Sequence, residues 1–288
     1  MSALTSKNLR LISITFVITY ALFGFNDVRK HHYHMAEEEP KKSLESLQHK
    51  SFSSPTQRPR GPTPTPLPPS SEIDDSVEPR GQVNEYTAFG LALMDLAALP
   101  GVDLILETGT FFGGGSTLCI AKSLKKKGRG RLVSIESFEE PNAYASKTLR
   151  GYPVELLLGT TVSPEDFPTP LEVKMTGATF ESSEEDWIHF LNEEKKKSAQ
   201  YSNPLLKSLC LERPFDAVLI DGAEFSGPKE FAIVMEHCKY VQYIALHDTN
   251  TFKGRASRAN LTDNPDWSME WGDVETNEWA IFKRRDDT

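Results

Sequence analysis

The stretch Glu107-Thr108-Gly109-Thr110-Phe111-Phe112-Gly113-Gly114-Gly115-Ser116-Thr117 decides how this sequence folds. It follows the apolar run VDLILE (102–107), which reads as a strand, and leads into a segment of helical spacing from Ser116 to Lys127. A glycine-rich turn that leaves a strand and opens a helix is where an open α/β sheet meets a nucleotide. Glycines let the backbone turn tightly and come close to a ligand, and the helix N-terminus offers free N–H donors. The plain alternative is a structural turn, since glycine loops are common between strands and helices.

Outward from that loop the same alternation continues. Tyr86 to Leu99 has helical spacing and stops at Pro100-Gly101. RLVSIE (131–136), VELLLG (154–159), FDAVLID (215–221) and VQYIALHD (241–248) read as strands, and Pro141 to Arg150 and Lys229 to Cys238 as helices. Met269 to Trp271 and EWAIFK (278–283) suit a terminal antiparallel hairpin. Short apolar runs separated by helices imply buried parallel strands in βαβ units. The expected fold class is therefore α/β: a Rossmann-like, doubly wound, mostly parallel seven-stranded sheet with an antiparallel last strand. Thr161 to Pro214 reads as an irregular insertion of roughly fifty residues, longer than ordinary connections and of the kind that covers or shapes a site.

The second strand ends in Glu136, 21 positions after Gly115. A carboxylate about 20 residues past the glycine loop is placed for the ribose hydroxyls of a bound nucleotide, and it is acceptor-only. The glycines do not fit G-x-G-x-x-G. Glu107 also puts a negative charge at the loop entrance, where a dinucleotide pyrophosphate would be repelled. A cationic sulfonium cofactor carrying an amino group suits that charge better than NAD.

With these residues in place, the sequence resembles class I S-adenosylmethionine-dependent methyltransferases. ETGTFFGGGST is similar to their first motif, SIE to the ribose-binding end of the second strand, FDAVLIDG to the fourth strand and YIALHD to the fifth. The resemblance spans about Tyr86 to Arg284 and is nearest to the small-molecule O-methyltransferase-like and cephalosporin-hydroxylase-like branches. It implies that Glu107, Gly109 and Gly113 line the methionine end of the cofactor, with Thr110, Ser116 and Ser137 beside them. It also implies that Glu136 holds the ribose and that Asp221 faces the transferred methyl. The loop is one residue longer than the catechol-type motif, which leaves Gly114 and Gly115 without a clear role.

Asp221, His247, Asp248 and Asn250 fall at the ends of the fourth and fifth strands, which should converge on the cleft. Asp221 and Asp248 offer oxygen ligands to a divalent cation such as Mg²⁺, with Asn250 as a neutral third. Alternatively, His247 or Asp248 accepts a proton from an acceptor hydroxyl. A third reading has Asp248-Thr-Asn capping a turn. Trp187, Phe190, Trp267 and Trp271 are candidate acceptor surface, although aromatics at such positions are more often core.

Leu11 to Phe25 reads LISITFVITYALFGF, uncharged and preceded by Lys7 and Arg10. That is short of the roughly 20 residues of a full span. With no small-x-small cleavage site close behind, residues 1–30 read as a signal anchor whose membrane segment is about 9–26. The alternative is secretion after cleavage. Residues 31–81 include QRPRGPTPTPLPPSSEIDDSVEPRG, too polar and Pro-rich to offset ordering entropy, and read as a disordered stalk before a domain at 82–288. Anchor, stalk and domain make a type II membrane protein of the secretory pathway, with the Golgi one candidate station. Asn260-Leu261-Thr262 is the chain's only glycosylation sequon.

The net charge of −9 excludes nucleic acid as the main partner. The three cysteines, Cys119, Cys210 and Cys238, lack metal-like spacing and read as small buried hydrophobes, with no disulfide expected. The reading is thus a membrane-anchored methyltransferase using S-adenosylmethionine, acting on a small-molecule or glycan hydroxyl. Its rivals are a lumenal glycosyltransferase, for which the domain lacks an Asp-x-Asp motif, and a Rossmann module that binds a cofactor or partner without turnover.

Overall fold

In the computed structural model the structure is described for Glu78–Arg285. The expected anchor and most of the expected stalk lie outside these residues. Among the described residues no helix is long and apolar enough to cross a membrane.

One seven-stranded sheet organises the domain. Its strands are β1 (Leu104–Thr108), β2 (Arg131–Glu136), β3 (Val154–Leu158), β4 (Ala217–Ile220), β5 (Tyr243–His247), β6 (Trp267–Gly272) and β7 (Trp279–Arg284). They lie in the order β3-β2-β1-β4-β5-β7-β6. The first five run parallel to one another, and β7 enters antiparallel between β5 and β6. This is the doubly wound, Rossmann-like sheet with an antiparallel last strand that the apolar runs implied. The strand order reverses between β1 and β4, and a crevice opens at the carboxyl ends of such a switch point.

Alternation along each strand divides the core in two. Ile105, Ala217, Leu219 and Ala245 face the layer of α1 (Ala88–Ala98) and α2 (Ser116–Lys127), packing on Phe89, Leu93, Ile120 and Leu124. Leu106, Val218, Ile220 and Leu246 face the other side. There they meet α5 (Glu184–Ser198), α6 (Leu205–Glu212) and α7 (Gly227–His237) through Trp187, Leu191, Leu209, Phe231 and Val234. Both faces being covered is why these strands read as continuous apolar runs rather than alternating ones.

Three expectations need correction. The 161–214 insertion is not irregular: it holds a 3₁₀ turn (Pro164–Asp166), α4 (Pro170–Met175), α5 and α6, whose apolar sides join the core. Capping by Thr169 and Ser183 starts α4 and α5, a local signal the insertion does carry. Cys210 on α6 and Cys238 just past α7 form a disulfide across a Cα–Cα distance of 4.4 Å, so only Cys119 stays a buried thiol. Their separation of 28 residues matches no motif; only the packing of α6 on α7 brings them together.

Finally, residues 78–81, read as the end of the stalk, pack against the domain. The Tyr144 hydroxyl, on α3 (Glu139–Thr148), donates to the Glu78 carbonyl at 2.8 Å, and the Arg80 guanidinium lies 4.8 Å from the Tyr144 ring centre. The Gly114 N–H donates to the Arg80 carbonyl at 3.1 Å. A Cβ on Gly114 would fall 2.2 Å from the Arg80 nitrogen, and one on Gly81 would fall 2.4 Å from the Gly115 Cα. The extra glycine of the loop is thus occupied by backbone-on-backbone packing against the lead-in segment.

Candidate active site

The crevice at the switch point is a cleft of about 340 Å³, within the range of small-molecule sites. Thr110, Ser116, Glu136 and Ser137 line one half, and Asp221, His247 and Asp248 the other, with Gly109 between them. Gly109 makes that junction possible. Its φ is +85°, and a Cβ there would lie 2.2 Å from the Asp221 carbonyl, so the ends of β1 and β4 can approach only at a glycine.

Three candidates do not face the cleft. Glu107 is fully buried and accepts the hydroxyls of Ser116 (2.7 Å) and Ser134 (2.6 Å). Burial pushes its carboxyl up to about 7 against those hydrogen bonds. Gly113 is directed at α3, where an added Cβ would meet Ala145 and Leu149 at 2.9 Å each. Asn250 is exposed, its carbonyl accepting from Arg255 at 3.0 Å. Of the aromatic candidates, Trp187 and Trp267 are core, and none of the four lines the cleft.

Glu136 ends β2 with both carboxylate oxygens engaged: Oε2 accepts the Phe111 N–H at 2.6 Å and Oε1 the Phe138 N–H at 2.8 Å. Burial raises its pKa to about 7, with the amides opposing. Each oxygen keeps a second lone pair for a hydroxyl donor. Phe111 and Phe138 are part-exposed at the rim, leaving apolar ring faces beside that carboxylate.

In the other half, His247 Nδ1 lies 3.0 Å from Asp221 Oδ1. Lys253, absent from the sequence reading, places its Nζ 2.8 Å from Asp221 Oδ1 and 2.6 Å from Asp248 Oδ2. Burial alone would raise the Asp221 pKa; Lys253 and His247 outweigh it and hold the carboxyl well below the usual range. Burial opposes protonation of His247, yet Asp221 raises its pKa above the ordinary value. Asp221, His247 and Asp248 offer ligand atoms within 4.8 Å of one another, the arrangement a divalent cation needs. The ammonium already bridging the two carboxylates makes the set a poor fit to such an ion.

Two more residues escaped the sequence reading. Glu194, on α5, lines the cleft and accepts the backbone N–H of Glu224 (3.1 Å) and Phe225 (3.0 Å), fixing the loop after β4. Burial pushes its carboxyl up to about 8, against those amides. Glu230 accepts hydroxyls from Thr108 (2.7 Å), Thr161 (2.6 Å) and Ser226 (2.8 Å), tying β1 to the start of the insertion. Glu194 sits in the charged run Glu193–Lys197, where nothing in the sequence singles it out from its neighbours. Lys253 does carry a signal, since two converging carboxylates call for a nearby cation.

No protein-family model matches this chain, and no curated protein matches it. Solved structures resemble it in part. An O-methyltransferase from Bacillus cereus in complex with S-adenosylhomocysteine is 18% identical, with a TM-score of 0.43 over 70% of this chain and 82% of that one. A methyltransferase from Geobacter sulfurreducens is 15% identical, with a TM-score of 0.42 over 68% and 77%. A methyltransferase from Podospora anserina bound to S-adenosylhomocysteine is 13% identical, with a TM-score of 0.44 over 69% and 78%. Likeness at this level assigns no residue, so function has to be read from the cleft itself.

Proposed function

We propose that this chain is a membrane-anchored methyltransferase that uses S-adenosylmethionine and acts on a hydroxyl of a small molecule or glycan in the secretory pathway. The observation that carries this reading is the division of one cleft into two chemically distinct halves. A buried carboxyl whose two oxygens each accept one backbone amide, Glu136, stands on one side of the switch point and an Asp221–His247 pair on the other.

S-adenosylmethionine, when bound, supplies an electrophilic methyl on a sulfonium. Its ribose diol suits the free lone pairs of Glu136, and the rim rings of Phe111 and Phe138 suit an adenine. On the acceptor side, His247 Nδ1 is committed to Asp221, which leaves Nε2 for the proton lost by the acceptor hydroxyl. Asp221 fixes the tautomer and stabilises the imidazolium that forms. Holding nucleophile and methyl donor in line accounts for most of the acceleration expected.

The compartment is supported by the Cys210–Cys238 disulfide, since such bonds persist in oxidising surroundings. The test is calorimetry of the full-length protein in detergent with S-adenosylmethionine, S-adenosylhomocysteine, NAD and a panel of sugar nucleotides. One-to-one binding of the first two alone is expected; binding only of NAD or of a sugar nucleotide would discard the reading.

A further inference from the structure

We infer that Lys253 is the resident cation of this cleft, filling the position a divalent metal would take between Asp221 and Asp248, so that the chain's chemistry runs without a metal. The inference rests on the methyltransferase reading for the reaction, but the site itself is a matter of geometry.

Lys253 is built into place. Its side chain is only 7% exposed, and its backbone N–H donates to Glu224 Oε1 at 3.2 Å. Its aliphatic stem crosses the start of α7 at Gly227, where an added Cβ would lie 2.7 Å from Lys253 Cγ. An ammonium has three donors. Here they go to Asp221 Oδ1 at 2.8 Å, Asp248 Oδ2 at 2.6 Å and the Gly222 carbonyl at 3.3 Å, so none is left for an acceptor molecule. Burial would favour neutral lysine; the two carboxylates overcome it and keep the group charged. A fully engaged ammonium is neither a base nor a substrate contact. It is a positioning residue: it neutralises the paired carboxylates, holds Asp221 for His247 and leaves His247 as the group that receives the proton. A Mg²⁺ ion would need the same lone pairs and would sit against a fixed positive charge.

The experiment is Mn²⁺ titration followed by electron paramagnetic resonance on the full-length protein, with Lys253→Met as the main variant. Wild type should leave Mn²⁺ free into the millimolar range. Folded Lys253→Met should bind it at least tenfold more tightly, and Asp221→Asn in that background should abolish the gain. Methyl transfer by wild type should also be unchanged by a chelator. Stoichiometric Mn²⁺ binding by wild type that Asp221→Asn removes would overturn the inference, as would a folded Lys253→Met that gains no affinity. Should Lys253→Met fail to fold by circular dichroism, the wild-type titration decides alone. Failure of S-adenosylmethionine to bind, with wild type silent toward Mn²⁺, would discard the methyltransferase reading and leave Lys253 as the resident cation.

Discussion

Glu136 Oε2 accepts the backbone N–H of Phe111 at 2.6 Å, and Phe111 is held with φ at +52°, a left-handed conformation unusual for a bulky residue. That conformation costs about 1–2 kcal/mol, so the carboxylate that reads as a ribose ligand also stabilises a strained turn at the rim. Glu136→Ala should weaken S-adenosylmethionine binding by about 1.5–3 kcal/mol, the loss expected for hydrogen bonds to a charged group. It should also lower the melting temperature, because the Phe111 amide loses its partner. Phe111→Gly separates the two effects: it keeps the amide bond and removes the strain, so it should weaken binding without loss of stability. Unchanged affinity in folded Glu136→Ala, by calorimetry, would remove the ribose assignment.

The buried carboxyls give the apo protein an unusual dependence of stability on pH. Glu107 and Glu136 are raised to about 7 and Glu194 to about 8, each mainly by burial. In the folded state each therefore holds its proton at pH values where the unfolded chain has released it. Stability should fall as pH rises from about 4.5 to 8, opposite to the usual carboxylate trend. His247, also raised, adds to the loss as pH climbs through its folded value. Asp221, which is lowered, acts in the other sense: its contribution is present above the ordinary aspartate value and fades below it. Thermal melts should therefore peak near pH 5 and decline toward pH 8, with Glu107→Gln flattening the decline. A melting temperature constant over that range would show these carboxyls to be solvated.

The disulfide makes a chemical prediction. Cys119 is buried and its thiol is pushed up to about 11 by burial, while Cys210 and Cys238 are paired. Native protein should not react with a thiol reagent, and protein denatured without reductant should yield one thiol per chain. Replacing both paired cysteines by serine should cost about 2–4 kcal/mol of stability. Three reactive thiols on denaturation would place the chain in a reducing compartment and remove the support for the secretory reading.

Much of the fold was legible because buried parallel strands announce themselves as apolar runs. β2 and α2 have the bounds their sequences suggested, Arg131–Glu136 and Ser116–Lys127. The helix α8 (Arg255–Asp263) went unread because it buries only Ser257 and Leu261, too few apolar positions to set a period. The site was legible where one residue at one strand end sufficed, as at Glu136, Asp221 and His247. It was not legible where a partner came from elsewhere. Lys253 follows the strand end of Asp248 by five residues, yet its meaning lies in reaching Asp221 on another strand. Gly114 had no clear role in the sequence because the Arg80 backbone that fills the space beside it comes from a segment over thirty residues earlier, read as stalk.

The proposed lumenal placement of the domain can be tested at its sequon. Asn260 is exposed on α8, and the Thr262 hydroxyl donates to the Arg258 carbonyl at 2.8 Å, so the sequon lies on a helix surface. If the domain is lumenal, endoglycosidase should shift the mobility of the expressed protein and Asn260→Gln should abolish that shift. Digestion of the domain by protease added to sealed vesicles would reverse the proposed orientation.

The acceptor half of the site supports the sharpest separation between an enzyme and a binding module. His247 and Asp221 are joined at 3.0 Å, and their charges are coupled: the carboxylate raises the imidazole, and the imidazole helps depress the carboxylate. If His247 receives the hydroxyl proton, it must be neutral before each turnover. Transfer should then rise with pH through a value above the ordinary histidine pKa of about 6.5 and reach a plateau. His247→Gln should lower kcat by about 10²–10⁴-fold and flatten that profile. Asp221→Asn should lower kcat as well, by leaving the imidazole in the wrong tautomer and without its counter-charge. Cofactor affinity should stay within a few-fold of wild type in both, because neither residue belongs to the Glu136 half of the cleft. Asp248→Asn, which leaves the His247–Asp221 bond in place, should have the smallest effect of the three on kcat. Full activity in folded His247→Gln and Asp221→Asn would sink the acceptor-site assignment, and Glu194, on the same cleft wall with a carboxyl raised to about 8, would become the next candidate for the proton.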